Sequence, residues 1–331
     1  MRLHVPGLPH TEVTPDYSWC AFTQNLRLWV NMMVSQGHEV TVYAPGEGDH
    51  AGTHISLGQP TETRSFDPAD WADLNRSVIE AVDGDGMLCL IGGLCQQQIA
   101  QALDLPTVEY AVGYGGRFAP YACFPSYAWM HTVYGQAGAH DADGLFYDTV
   151  IPHYVDPDQF DYINDPDDYL LYVGRLEQRK GLDIVGDIAK HTDRRVIVAG
   201  SGPYPVPEGC EYAGPVGPAE RSKLMGHAHA LLAPTLYLEP FGLVAIEAMT
   251  CGTPVISTDW GGFVETVSDV SGARCRTMRQ FLDATEQDFC RPEVRDWSER
   301  FWVDSIAPRY DDWLGDVQTV VTGRGFYQDV D

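Results

Sequence analysis

Apolar positions along this chain fall into short runs separated by stretches with helical spacing, in a regular alternation. In the first half, RLHVPG, HEVTVYAP, MLCLIGG and PTVEYAV read as strands, the first starting almost at Met1. Between them Trp19 to Gln36, Pro68 to Val82 and Cys95 to Leu103 read as helices. Asp67 before Pro68 supplies an N-cap and a first-turn proline, and Gly37 marks a helix end. A second series begins at Tyr169, with YLLYVG, RRVIVAG, HALLAPT and PVIST as strands. Its helices are expected over Gly181 to His191, Pro218 to His227 and Leu243 to Cys251. Strands alternating with helices predict parallel sheets covered on both faces, so the fold class is α/β, with two Rossmann-like doubly wound domains whose strand ends face a shared cleft.

The 331 residues fit two domains of about 150 residues each. Residues 1–153 form the first. Residues 154–168 (YVDPDQFDYINDPDD) are acidic, proline-marked and aperiodic, and read as a linker; residues 169–302 form the second domain. From Pro292 to Val320 the pattern is helical, with Trp297, Trp302 and Trp313 read as core aromatics. Residues 303–331 are assigned to a terminal helical segment.

The chemistry concentrates between Leu238 and Thr258, LEPFGLVAIEAMTCGTPVIST. The helix Leu243 to Cys251 is apolar on nearly every face, and Gly252 and Pro254 stop it. Glu247 in its second turn is costly to bury unless hydrogen-bonded, and a ribose diol would satisfy it. A capping or salt-bridged structural acid is the competing reading. Glu239 precedes the helix, separated by Pro240, Phe241 and Gly242, beside first-turn N–H groups that suit an anion; Gly242 and Leu243 would let a phosphate approach. Upstream, GRLEQRKG puts Gly174, Arg175 and Lys180 at a strand end and a helix start. Fixed cations there would stabilise a departing diphosphate. The turn AGSGP, with Gly200 and Gly202, lacks the dinucleotide G-x-G-x-x-G spacing.

Charge narrows the functions. With 47 acidic and 21 basic residues the formal net charge is −26, which argues against non-specific capture of nucleic acid or anionic membrane. The eight cysteines include no C-x-x-C pair and read as reduced, buried thiols. No apolar run approaches the roughly 20 residues that span a bilayer, and no leader is read before the first strand, so a cytoplasmic protein is expected. The D-x-D triplets at Asp83/Asp85, Asp141/Asp143, Asp156/Asp158 and Asp165/Asp167 are expected by chance in so acidic a chain and read as solvated carboxylates.

EPFGLVAIEAM, followed by CGTPVI and DWGGFVE, resembles the E-x7-E element of the retaining glycosyltransferases of family 4, which have the GT-B fold. The resemblance covers roughly Tyr169 to Val267. It implies a retaining, metal-independent transfer from a nucleotide-diphosphate sugar, with a UDP-sugar slightly favoured and no further cofactor. Arg175 and Lys180 would hold the diphosphate, Glu239 the sugar hydroxyls and Glu247 the ribose. Gly174, Gly200, Gly202, Phe241, Gly242 and Leu243 would line the donor site. In YAGPVGPAERSKLM, backbone atoms around Val216 would read the base, and GGFVE (Gly261 to Glu265) would be scaffold. The terminal helix would cross back onto the first domain.

The first half resembles the family less; its PHT to CAFT stretch is loosely similar to bacteriophage-encoded glycosyltransferases. Acceptor-side candidates are His10, Thr11 and Glu12 in the first loop, Tyr114 and Arg117 near GYGG, and His131. The acceptor hydroxyl stays open among glycan, lipid, protein, metabolite and modified nucleic-acid base, as does the oligomeric state. The alternatives are a sugar-nucleotide epimerase or hydrolase of the same fold, or a non-catalytic sugar-nucleotide binder.

Overall fold

The computed structural model describes residues 1–61, 67–114, 116–136 and 144–324, without the side chain of Arg324. It divides into two units, one holding Met1–His153 and the chain from Val303 onward, the other Tyr154–Trp302.

In the first unit the elements are β1 (Arg2–Pro6), α1 (Ala21–Ser35), β2 (Glu39–Ala44), β3 (Thr53–Ser56), α2 (Pro68–Ala81), β4 (Met87–Leu90), α3 (Gln97–Ala102), β5 (Thr107–Glu109), β6 (Tyr121–Phe124), α4 (Tyr127–Gln136) and β7 (Thr149–Val150). Their sheet runs β3-β2-β1-β4-β5-β6-β7, every pair parallel. Gly37 takes φ +85° at the end of α1, the left-handed conformation a side chain resists, and turns the chain into β2. The Asp67 side chain accepts from the Ala69 N–H at 2.8 Å, capping α2. Trp29 of α1 stacks on Tyr110 at 4.2 Å between ring centroids and buries completely.

The second unit contains β8 (Tyr169–Val173), α5 (Leu182–Ala189), β9 (Arg195–Ala199), β10 (Glu211–Gly214), α6 (Pro218–His227), β11 (Ala230–Ala233), α7 (Leu243–Thr250), β12 (Val255–Thr258), α8 (Phe263–Thr266), β13 (Gly272–Cys275), α9 (Met278–Thr285) and α10 (Arg291–Ser298). Its parallel sheet runs β10-β9-β8-β11-β12-β13. Side chains alternate between two cores. Tyr169 and Leu171 of β8 join Leu231 and Val255 on one face, while Leu170 and Tyr172 join Leu232 and Ile256 on the other. Helices cover both faces, so these strands are buried along their length and mostly apolar. Each leucine or isoleucine buried this way contributes about 2 kcal/mol.

Finally α11 (Val303–Thr319) packs in the first unit. Tyr310 donates to the Tyr110 carbonyl at 2.9 Å, Trp313 Nε1 to the Tyr147 carbonyl at 2.6 Å, and Asp311 sits 2.9 Å from His38 Nε2.

Two expectations change. Residues 154–168 are not a free linker: Val155 and Phe160 enter the second unit's core, the Val155 N–H bonds the Phe301 carbonyl at 3.0 Å, and the Asp167 N–H bonds the His227 carbonyl at 2.7 Å. Apolar side chains without periodicity still fill holes. The helical stretch from Pro292 to Val320 is also interrupted, because Trp302 adopts an extended conformation where the chain leaves one unit for the other.

All eight cysteines are unpaired; Cys20, Cys89, Cys123, Cys251 and Cys275 are buried, Cys95 and Cys210 partly so, and Cys290 is exposed. The Asp141/Asp143 triplet lies outside the described residues, Asp85 meets Arg2 at 3.3 Å, and Asp156 caps a short turn by accepting from the Asp158 N–H at 3.1 Å. Among the described residues no helix is long and apolar enough to cross a membrane.

Candidate functional site

In the second sheet the strand order reverses between β8 and its neighbour β11, the kind of position at which open α/β sheets bind ligands beyond the C-terminal strand ends. Part of the predicted set lies on these loops. After β8 come Gly174, Arg175 and a short turn, Gln178–Lys180; after β11 comes the segment leading to Glu239 and α7. Close backbone packing joins the two loops. The Leu236 N–H donates to the Arg179 carbonyl at 2.9 Å, and Gly181 takes φ +80° where a Cβ would stand 1.9 Å from the Pro234 carbonyl oxygen.

This stitching brings Lys180 to Glu239. The ammonium donates to Glu239 Oε2 at 2.8 Å, and the Tyr237 hydroxyl donates to the same oxygen at 2.7 Å. Arg179 lies over the Tyr237 ring at 4.0 Å and Lys180 at 4.9 Å. The Glu239 side chain is 12% exposed, so its negative charge rests on these partners. Behind it, the Gly262 N–H donates to the Glu239 carbonyl at 2.7 Å, and Phe263 buries beneath Gly242, whose φ is +92°. GGFVE therefore positions the loop from behind.

Phe241 is the first correction among the donor residues. Its ring is buried and packs edge-to-face with Phe301 at 5.7 Å, so the side chain belongs to the core and holds α7 in place. Gly242 and Leu243 begin α7 and leave first-turn N–H groups facing outward from the helix start. Glu247, one turn on, has its side chain 15% exposed, with Oε1 3.3 Å from Arg221 Nη2. Burial pushes its carboxyl pKa above the ordinary glutamate value, and Arg221 pulls it partly back. Arg221 lies on α6, next to the segment holding the half-buried Val216. Sequence reading missed Arg221 and Tyr237. No motif marks either.

Arg175 stands apart from this cluster. Its side chain is 68% exposed and pairs with Glu177 at 3.0 Å. Gly200, with φ +137°, and Gly202 serve packing: Cβ atoms there would stand 1.9 Å from the Gly174 carbonyl oxygen and 2.3 Å from that of Leu176. The loops after β8 and β9 thus lie backbone against backbone.

In the first unit the reversal falls between β1 and β4, and Gln96 stitches it. Its amide donates to the carbonyls of Pro6 (3.2 Å) and Gly7 (3.0 Å), and its oxygen accepts from Ile91 (3.1 Å) and Gly92 (2.6 Å). Two acceptor-side candidates prove structural. Thr11 is fully buried, 2.7 Å from the Thr23 hydroxyl, and Arg117 is locked onto the buried Asp148 carboxylate at 2.7 Å and the carbonyls of Ala119 and Pro120. Glu12 packs over Gly46. His10 is half-buried, 3.7 Å from Cys20 Sγ and 5.9 Å from the Trp19 ring; burial lowers its pKa, and the nearby Asp70 opposes the shift. Tyr114 is exposed, edge-on to Trp129 at 5.6 Å, and His131 is exposed on α4, with its ring 6.2 Å from Tyr127.

Residues 158–276, which contain the whole cluster around Glu239, match the family model described as Glycosyl transferases group 1. Over 116 residues the chain is 31% identical to a phosphatidyl-myo-inositol mannosyltransferase of Propionibacterium freudenreichii, covering 33% of this chain and 30% of that protein. Over 125 residues it is 37% identical to a D-inositol 3-phosphate glycosyltransferase of Mycobacterium marinum, covering 31% and 26%. The chain thus spans less than a third of the length of either of these relatives. Whole-chain likeness appears among solved structures. AviGT4, a glycosyltransferase involved in avilamycin A biosynthesis, matches with a TM-score of 0.72 at 20% identity over 97% of this chain and 98% of its own. Anabaena HepE in complex with UDP and glucose matches with a TM-score of 0.69 at 16% identity over 96% and 100%. At such identities the likeness carries the fold, GT-B, while the local match carries the family: over residues 158–276 this chain holds a group 1 glycosyltransferase domain.

Proposed function

We propose that the chain is a retaining glycosyltransferase that moves a sugar from a nucleotide-diphosphate donor to an acceptor hydroxyl. The observation that supports this reading is the Lys180–Glu239 pair beside the start of α7, the helix that carries Glu247, at a strand-order reversal. Each part of such a donor is assigned a partner. Glu239 accepts from sugar hydroxyls, Lys180 and the α7 N–H groups meet the diphosphate, Arg175 approaches it from the rim, and Glu247 takes the ribose diol. A UDP-sugar is the favoured donor, in keeping with the UDP held by the similar HepE.

Departure of the nucleoside diphosphate leaves an oxocarbenium-like sugar, and the acceptor attacks from the same face while the leaving phosphate takes its proton. No enzymic nucleophile is needed. The cationic side chains and the helix terminus neutralise the phosphate charge, so the reaction runs without a divalent ion.

Release of UDP from UDP-glucose, with GDP-mannose as the parallel donor, tests this. Glu247→Ala is expected to weaken nucleotide binding about tenfold or more, and Arg175→Ala to depress turnover more than affinity, with a chelator changing neither. Unchanged binding and turnover in both variants would sink the assignment. Free or rearranged sugar at full rate from donor alone would instead identify a hydrolase or epimerase.

A further inference from the structure

One oxygen of Glu239 carries two donors of different kinds. Lys180 reaches Oε2 at 2.8 Å through a flexible four-carbon stem, whereas the Tyr237 hydroxyl reaches it at 2.7 Å from a ring that is fixed. Two contacts fix that ring and its backbone: Arg179 over its face at 4.0 Å, and Trp260 Nε1 donating to the carbonyls of Tyr237 at 3.2 Å and Thr235 at 3.0 Å. A diphosphate brings more negative charge than one carboxylate and competes for the ammonium on its flexible stem, whereas the phenol on its fixed ring cannot follow it.

We propose that Tyr237 is a positioning residue, whose hydroxyl holds Oε2 of Glu239 when Lys180 turns to the donor's diphosphate, so that Oε1 stays aimed at the sugar. This rests on the donor reading given above. Lys180 is shared between two anions, and Tyr237 keeps Glu239 from following it. Loss of the hydroxyl therefore affects recognition of the sugar and not of the nucleotide.

Calorimetric titration with UDP and with UDP-glucose separates the two. The ratio of their dissociation constants isolates the sugar's share of binding. Tyr237→Phe is expected to shrink that ratio about fivefold while leaving the affinity for UDP and the unfolding temperature unchanged. Glu239→Gln should shrink it as far or further, and Tyr237→Phe on that background should add nothing. A ratio unchanged in Tyr237→Phe, or effects that simply add, overturns the proposal; a fall in UDP affinity and unfolding temperature together identifies a structural residue instead.

A second measurement needs no sugar nucleotide. The chain has only three lysines, Lys180, Lys190 and Lys223, so selective carbon-13 labelling gives three side-chain signals. The Lys180 signal should stand apart because of the Tyr237 ring, and inorganic pyrophosphate should move it in wild type and in Tyr237→Phe alike. If pyrophosphate leaves it in place, Lys180 does not exchange partners and the proposal fails. If UDP and UDP-glucose do not bind while pyrophosphate moves Lys180, the fault lies with the assigned donor.

Discussion

Glu247 sits in an apolar helix with most of its side chain out of water, and its pKa is raised by that burial despite the Arg221 guanidinium 3.3 Å away. A carboxyl whose folded-state pKa exceeds its unfolded value binds its proton more tightly in the folded chain. Its ionisation costs stability as pH rises from the unfolded value, 4.5, through the folded one. Glu247→Gln is expected to melt at a higher temperature than wild type at pH 7, the gap closing as pH falls towards 4.5, while nucleotide affinity drops. Melting curves across that range check the sign, and a gap that widens on acidification contradicts it. At this scale the sequence marked the acids, because a glutamate in an apolar run is conspicuous. It did not mark Arg221 or Tyr237, whose meaning depends on which side chain stands opposite. For the same reason Arg117 and Thr11 looked like acceptor contacts: nothing near Arg117 in sequence announces Asp148, whose carboxylate also accepts from the Tyr134 hydroxyl at 2.6 Å and the Ala122 N–H at 2.9 Å.

Among the elements, the central strands were legible and the edges were not. YLLYV, VIVA and ALLA are covered on both faces, and only apolar residues suit every position. The strands β3, β7, β10 and β13 lie at or near sheet edges and are short, with polar or small residues, so nothing in their pattern separates them from loops. The loops that build the site depend on glycines whose task is backbone proximity. Gly200→Ala places a Cβ 1.9 Å from the Gly174 carbonyl oxygen at φ +137°. Neither backbone can retreat without parting the ends of β8 and β9, so a loss of about 2 kcal/mol or more is expected, together with loss of nucleotide binding. Gly214→Ala is the control: it has φ +82° with no atom within 4 Å of the added Cβ, and should cost about 1 kcal/mol. Urea midpoints of both variants decide; equal losses would mean that the contact with Gly174 does not constrain the loops.

For the whole molecule, charge is the dominant departure from an ordinary protein. A net charge of −26 over 331 residues gives a surface that repels itself, and added salt screens it once the Debye length falls below about 10 Å. The melting temperature is therefore expected to rise between about 20 mM and 500 mM sodium chloride, and equally with potassium chloride. A flat or falling dependence would show that the local ion pairs, such as Arg195 with Glu211 at 2.7 Å, outweigh the net repulsion.

By itself the sequence determined the α/β class and the central strands, and it singled out Glu239, Glu247 and Lys180 as candidates, since burial on two faces and the cost of a buried charge are written in residue type and spacing. The tertiary structure decided the rest. It placed Lys180 and Tyr237 on the same oxygen of Glu239, gave Glu247 its partner Arg221, packed residues 154–168 into the second unit, and turned Thr11, Arg117 and Phe241 into structural residues. The reason is geometric. Pairing between distant segments depends on strand order and loop approach, and neither is encoded in the local pattern that makes a strand or a helix.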